Sequence, residues 1–218
     1  MHIYELDGKL YPSVTSVLDL FSYNQNLMRW ANSLGYQHRN YLKELDKTAK
    51  LGTYVHQRNQ KIVDSDNAPE PDNIKDPMVD YHVRKRVSNF KMKIEMYQYK
   101  TIATEKTLIS KNLGFAGTLD WLVDFVEILT LFDFKTSKEV RSKMIAQLGG
   151  YSLLLKDLLN ITVDRAGIIL CGEDKCTINY IKRKELDIGE QAFLSYFDSY
   201  KKHEELENIL KTSVIKLN

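Results

Sequence analysis

The sequence predicts a mixed α/β protein with a helical front half and a sheet-building back half. Three observations carry this. Apolar residues recur at helical spacing through most of residues 13–97. From about residue 98, period-two alternation and β-branched runs take over. Between them, residues 64–77 gather Asp64, Asp66, Glu70, Asp72 and Asp76 around Pro69, Pro71 and Pro77, the signature of a solvated loop. At 218 residues the chain suits one domain, 1–218, with a helical part of about 1–97 and a mixed core of about 98–218. Its 31 basic and 29 acidic residues leave a net charge of +2, so partners must be sought in local patches.

In chain order, Ile3–Leu6 and Lys9–Tyr11 flank Asp7-Gly8, a two-residue hairpin signal. Ser13 then reads as the N-cap of a helix running to Phe21, where the Ser13 and Thr15 hydroxyls serve either capping or phosphate binding. A second helix spans Asn24–Leu34 and ends at Gly35. The third, about Asn40–Val63, carries the stripe Leu45, Ala49, Gly52, Val55 or His56, Asn59 and Val63. Gly52 costs about 1 kcal/mol inside a helix, which suits a close approach to its backbone. His56 shares its face, as either a hydrogen-bonded core residue or a ligand.

Asp80–Tyr97 is a basic helix (Arg84, Lys85, Arg86, Lys91, Lys93) over a stripe of Val83, Val87, Phe90 and Ile94. That basic face is either solvated or turned to a polyanion. With the acidic loop before it, the helix is expected to form part of an arch for a nucleic-acid strand. Strands follow at Tyr99–Ser110, Arg165–Cys171 and Thr177–Ile181, helices at Arg141–Leu159 and Gly189–Leu210. Cys171 and Cys176 are the only cysteines, which suits a reducing cytoplasm and leaves no complete thiolate metal site. No run reaches the length of a membrane span, and the start lacks a basic, apolar signal sequence.

The stretch GTLDWLVDFVEILTLFDFKTSK, Gly117–Lys138, organises the rest. It predicts two strands joined near Val126–Ile128. Asp133 and Lys135 share one face of the second, with Phe132 and Phe134 on the other. On the first, Asp120, Leu122 and Asp124 oppose Leu119, Trp121, Val123 and Phe125. Asp120 can then meet Asp133 and Lys135. Two carboxylates suit Mg2+ or Mn2+, which can activate a water and polarise a phosphate, and the lysine adds a point charge. The same Asp-x-Lys also suits a surface salt bridge. Gln147 and Tyr151, four apart, lie on one face of the following helix and reach over the strand's end.

Taken in order, His56, Glu105, Gly117-x-x-Asp120, Asp133-x-Lys135 and Gln147-x-x-x-Tyr151 resemble the RecB-like branch of the PD-(D/E)XK nucleases. Within it the chain is most similar to the mitochondrial genome maintenance exonuclease and its phage and bacterial relatives. PSVTSVL, LMRWANSLG, LGTYVH, LFDFKTSK and QLGGYSLLL carry that closer likeness, over nearly the whole chain from Tyr11. The resemblance implies a PD-(D/E)XK restriction-endonuclease-like core, a central mixed sheet flanked by helices. It implies that His56, Asp120, Asp133 and the Phe134 carbonyl hold Mg2+ or Mn2+, and that Lys135 stabilises developing charge. Gln147 and Tyr151 would fix the lysine, the scissile phosphate or a nucleotide. Glu105 would be a further catalytic acid, and Ser13, Thr15, Thr136 and Ser137 would hold the DNA backbone. Two cysteines cannot hold the iron–sulfur cluster of some relatives, so none is expected.

The function expected is a DNA exonuclease acting on single strands or DNA ends in replication, recombination or repair. It would work in the cytoplasm of a bacterium or phage-infected cell, with replication or recombination proteins as further partners and no membrane. The alternatives are a structure-specific endonuclease of the same superfamily, a silent DNA-binding module on the same fold, and an RNA-directed enzyme.

Overall fold

The computed structural model describes residues 2–21 and 25–215, without the side chains of 25–26 and 213–215. A short hairpin, β1 (Ile3–Leu6) and β2 (Lys9–Pro12), precedes four helices: α1 (Val14–Leu20), α2 (Gln25–Tyr36), α3 (Tyr41–Val63) and α4 (Pro77–Ile94). Then come β3 (Tyr99–Ser110), β4 (Phe115–Phe125), β5 (Leu129–Lys135), α5 (Ser142–Leu159), β6 (Arg165–Cys171), β7 (Cys176–Lys182) and α6 (Arg183–Ile215). The central sheet has the order β3-β4-β5-β6-β7. Only β5 and β6 run parallel, because α5 carries the chain back between them. This is the mixed sheet flanked by helices that the sequence predicts.

Two apolar layers clamp the sheet. On one face α1, α5 and α6 pack through Val14, Val17, Leu148, Leu154 and Phe193 onto Leu122, Leu131 and Ile168. On the other, Val55, Val83, Phe90 and Ile94 of α3 and α4 meet Trp121, Phe132, Phe134 and Ile169. The alternation of β5 is therefore realised, with Leu131 in the first core and Phe132 and Phe134 in the second. Leu119 is a correction. It packs in the first core with Leu122 and not beside Trp121, so the alternation of β4 breaks near Asp120.

The β4–β5 turn is Val126-Glu127. Both residues have positive φ, 56° and 61°, and Phe125 and Ile128 exchange backbone hydrogen bonds of 3.0 and 3.3 Å. The tight turn is as expected, though a β-branched residue at positive φ is strained.

α5 fits closely because it carries Gly149-Gly150. A Cβ on Gly149 would lie 2.3 Å from the Gly189 carbonyl carbon of α6, and one on Gly150 2.9 Å from Val14. The missing side chains thus let α5 pack closely on α6 and α1. On α3 only Val55, Asn59 and Val63 are buried. Leu42 and Leu45 are exposed, and of the front half Leu51 packs partly buried against the second core, so the expected stripe is used only in part. Asn24 lies outside the described residues; α2 runs on to Tyr36, past the expected end at Leu34. α6 begins at Arg183 and reaches Ile215, well beyond the expected 189–210.

Candidate metal centre

β4 and β5 pair from Asp124↔Leu129 to Trp121↔Phe132, and there the ladder stops. The next opposed residues would be Asp120 and Asp133. Instead the strands part, and the Phe134 amide donates to Asp120 Oδ2 at 2.7 Å. A side-chain carboxylate thus replaces a backbone carbonyl, which satisfies the buried N–H and fixes Asp120 in the gap.

Two further groups converge on Asp120. His56 projects from α3 one residue beyond buried Val55, and its ring packs edge-on against Phe134 at 5.8 Å. Its Nδ1 lies 3.6 Å from Asp120 Oδ2, too long for a hydrogen bond. Glu105 lies on β3 between Thr104↔Trp121 and Lys106↔Leu119, hence opposite Asp120 in register. Its φ of 44° is strained for a non-glycine in a strand. Ligand atoms of His56, Glu105 and Asp120 all lie within 4.8 Å of one another.

Asp133 is wholly buried beside this group. Gln147 Nε2 donates to its Oδ1 at 3.0 Å and to the Tyr151 hydroxyl at 3.0 Å. Asp133 Oδ2 faces the Lys135 ammonium at 2.7 Å but has no well-aligned hydrogen-bond donor. Tyr151 packs closely against β4 because residue 117 is glycine, where a Cβ would sit 2.7 Å from the ring.

The electrostatics follow from this crowding. Burial, then the Asp120 charge, pushes Glu105 up to about 7 against the pull of His56. Burial also lifts Asp133 to about 6, with Lys135 opposing and Asp120 adding. For Lys135, burial works downward, but the Asp133 and Asp120 charges outweigh it and hold the ammonium above its usual range. Burial and the same two carboxylates raise Tyr151 well above 10. Carboxylates that resist ionisation this way are stabilised by an added cation. The donor set fits a divalent ion: one imidazole nitrogen, carboxylate oxygens, and a buried carboxylate oxygen with capacity to spare.

The sequence-predicted residues thus divide. His56, Glu105, Asp120, Asp133, Lys135, Gln147 and Tyr151 are brought together. Gln147 reaches Asp133, where the expectation had it fixing the lysine, the phosphate or a nucleotide. The three-residue cluster takes Glu105 and leaves Asp133 beside it, paired to Lys135. The Phe134 amide is tied to Asp120, which places its backbone at the site.

Ser13 is buried and spent on capping, accepting from the Ser16 amide at 2.9 Å with Thr15 and Ser16 hydroxyls around it. Thr136 lies near Gly52, where an added Cβ would be 3.8 Å from its hydroxyl, while Ser137 donates to the Glu139 carbonyl. Gly52 therefore has room for a methyl within the protein.

Each of the five basic residues of α4 has a partner of its own. Arg84 pairs with Asp80, Arg86 with Glu173 and Lys91 with Glu95. Lys85 and Lys93 lie over Tyr81 and Tyr97. The acidic loop is tied along α3 by Gln57–Asp72, Arg58–Asp72 and Lys61–Glu70 contacts. Those pairings favour a solvated face over an arch.

Sequence reasoning passed over Tyr4, Thr107 and Thr118, whose hydroxyls are linked to one another across β3 and β4. The signal was available: Thr107 and Thr118 each stand two residues from a site acid on the same strand.

No family model matches the chain, and no curated protein matches its sequence. Among solved structures, the chain is similar to an alkaline exonuclease, LHK-Exo, from Laribacter hongkongensis. The identity is 11% and the TM-score 0.38, covering 79% of this chain and 99% of that one. LHK-Exo in complex with dAMP matches at 14% identity and TM-score 0.39, over 78% and 97%. No helix among the described residues is long and apolar enough to cross a membrane.

Proposed function

We propose that this chain is a divalent-metal-dependent DNA exonuclease of the RecB-like PD-(D/E)XK type, folded as one nuclease unit over 1–218 and acting on single strands or ends. One observation carries the reading. His56, Glu105 and Asp120 converge within 4.8 Å beside a buried Asp133–Lys135 pair, on three different strands and a helix. A salt bridge alone needs no third carboxylate and no imidazole. The ordered motifs that resemble that branch support the same reading.

His56, Glu105 and Asp120 would hold the ion, with Asp133 adjoining. Mn2+ suits the mixed nitrogen and oxygen set and Mg2+ the oxygens. When bound, such an ion lowers the pKa of water and neutralises phosphate charge. The protein's own groups do the rest. Lys135 stays an ammonium and so offers charge and donors to a phosphorus centre that gains negative charge, in place of acting as a base. Asp133 holds Lys135 in position, and Gln147 holds Asp133. Tyr151 accepts from Gln147 and keeps its own proton, which it can donate to a phosphate oxygen.

The test is linear single-stranded DNA labelled at either end, incubated with Mg2+ or Mn2+ and sized, beside circular DNA and matched RNA. Shortening from one end with circles intact supports the exonuclease. Cut circles would move the assignment to an endonuclease, and preferred RNA cleavage to an RNA-directed enzyme. Full activity in Lys135→Ala would overturn the site.

A further inference from the structure

The β1–β2 hairpin is pinned across the start of β4. His2 and Ser16 exchange backbone-to-hydroxyl hydrogen bonds of 2.7 and 2.9 Å, and Ser13 bridges to Ala116. Asp7 pairs with Lys111. This anchoring delivers the half-buried Tyr4 to the sheet, where its hydroxyl lies 2.8 Å from Thr118 Oγ1. Thr118 in turn lies 2.9 Å from Thr107 Oγ1, its register partner on β3.

Thr118 and Thr107 stand two residues from Asp120 and Glu105, on the same strands. The hydroxyls therefore sit roughly 7 Å along the same two strands from the carboxylates at ~3.3 Å per residue, on the far side of the break in alternation. That step is of the order of one nucleotide of backbone. Three hydroxyls linked by two contacts spend two protons, which leaves one O–H to donate outward. Thr107 is exposed, so with Tyr4 donating to Thr118 and Thr118 to Thr107 the spare O–H is within reach of a ligand. A neutral donor here has a use that a lysine would lack. Beside three carboxylates an ammonium would fold onto them and compete with the metal, whereas a hydroxyl can bind a phosphate oxygen and leave them free. The Tyr4 ring, packed on His2 at 4.5 Å, adds an aromatic surface for a base.

We propose that Tyr4, Thr118 and Thr107 form a subsite for the nucleic-acid backbone, binding the phosphate next to the one cleaved and so setting the strand's register over the acids. The subsite rests on the nuclease reading but has its own test. Binding of a short single-stranded oligonucleotide to the full chain is measured by fluorescence anisotropy in EDTA. The same series uses oligonucleotides with a neutral methylphosphonate at either linkage flanking the cleaved one. Thr107→Val, which removes the exposed donor itself, should bind about tenfold more weakly, the size of one hydrogen bond to a charged group, while Tyr4→Phe, which leaves that O–H in place, should lose less. Mn2+ affinity and melting temperature should stay unchanged. One methylphosphonate should cost wild type a similar factor and cost Thr107→Val nothing more. Wild-type binding by Thr107→Val, or a methylphosphonate penalty that adds in full to its own, would overturn the subsite. Cleavage intact with no such coupling would remove the subsite alone. Coupling without any cleavage by wild type would remove the nuclease reading alone.

Discussion

Asp133→Asn should abolish cleavage yet stabilise the metal-free protein. Asp133 is raised from 3.8 to about 6, chiefly by burial. The folded metal-free chain therefore holds a proton that the unfolded chain has already released between those values. For such a group the stabilising contribution is full below about 4 and is lost as pH rises through about 6. The gap corresponds to roughly 3 kcal/mol of strain once Asp133 is ionised. An asparagine mimics the neutral acid, still accepts from Gln147, and lets the partly exposed Lys135 turn to solvent. Urea unfolding in EDTA at a series of pH values reads the effect. The variant should match wild type near pH 4, gain as pH rises, and level off above pH 6 at up to roughly 3 kcal/mol. With Mn2+ both chains should gain stability, since the variant keeps His56, Glu105 and Asp120, and wild type should gain more because its Asp133 charge adjoins the ion. A variant less stable than wild type at pH 8 in EDTA would refute the burial argument.

Further expectations follow from the same geometry. Metal affinity should climb with pH through about 6 to 7, as Asp133 and Glu105 give up protons to the ion; calorimetry in buffers of different ionisation heat would read the release. Mn2+ should bind more tightly than Mg2+, with His56→Ala narrowing the difference, in paired titrations. Gly149→Ala should lose about 2 kcal/mol or more in thermal or urea unfolding, because its Cβ would meet the α6 backbone. Gly52→Ala should gain up to about 1 kcal/mol by the same measurement, since its nearest neighbour is the Thr136 hydroxyl at 3.8 Å.

The acid and amine pattern was legible because strand alternation and helical spacing are short-range rules. Asp133, Lys135, Gln147 and Tyr151 each lie within one element or the next, and spacing placed them near one another. Asp120 was legible as a partner but its position in a split ladder was not, since the split depends on Phe134 finding a side-chain acceptor. The same break put Leu119 into the other core. Glu105 entered through resemblance, and its positive φ has no local sequence signal. Ser13 was open between cap and phosphate ligand; only its burial and its bond to the Ser16 amide decide for the cap. α6 was drawn too short at both ends: it follows β7 directly at Arg183 with no turn residue to mark its start, and beyond Tyr200 its apolar Leu206, Ile209 and Leu210 are exposed.

Binding of Mn2+ to the metal-free chain, followed by its electron paramagnetic resonance, tests the convergence of these groups most directly. One ion should bind, and His56→Ala, Glu105→Gln and Asp120→Asn should each weaken it by at least about tenfold. Three variants that bind Mn2+ as wild type does would contradict the metal centre.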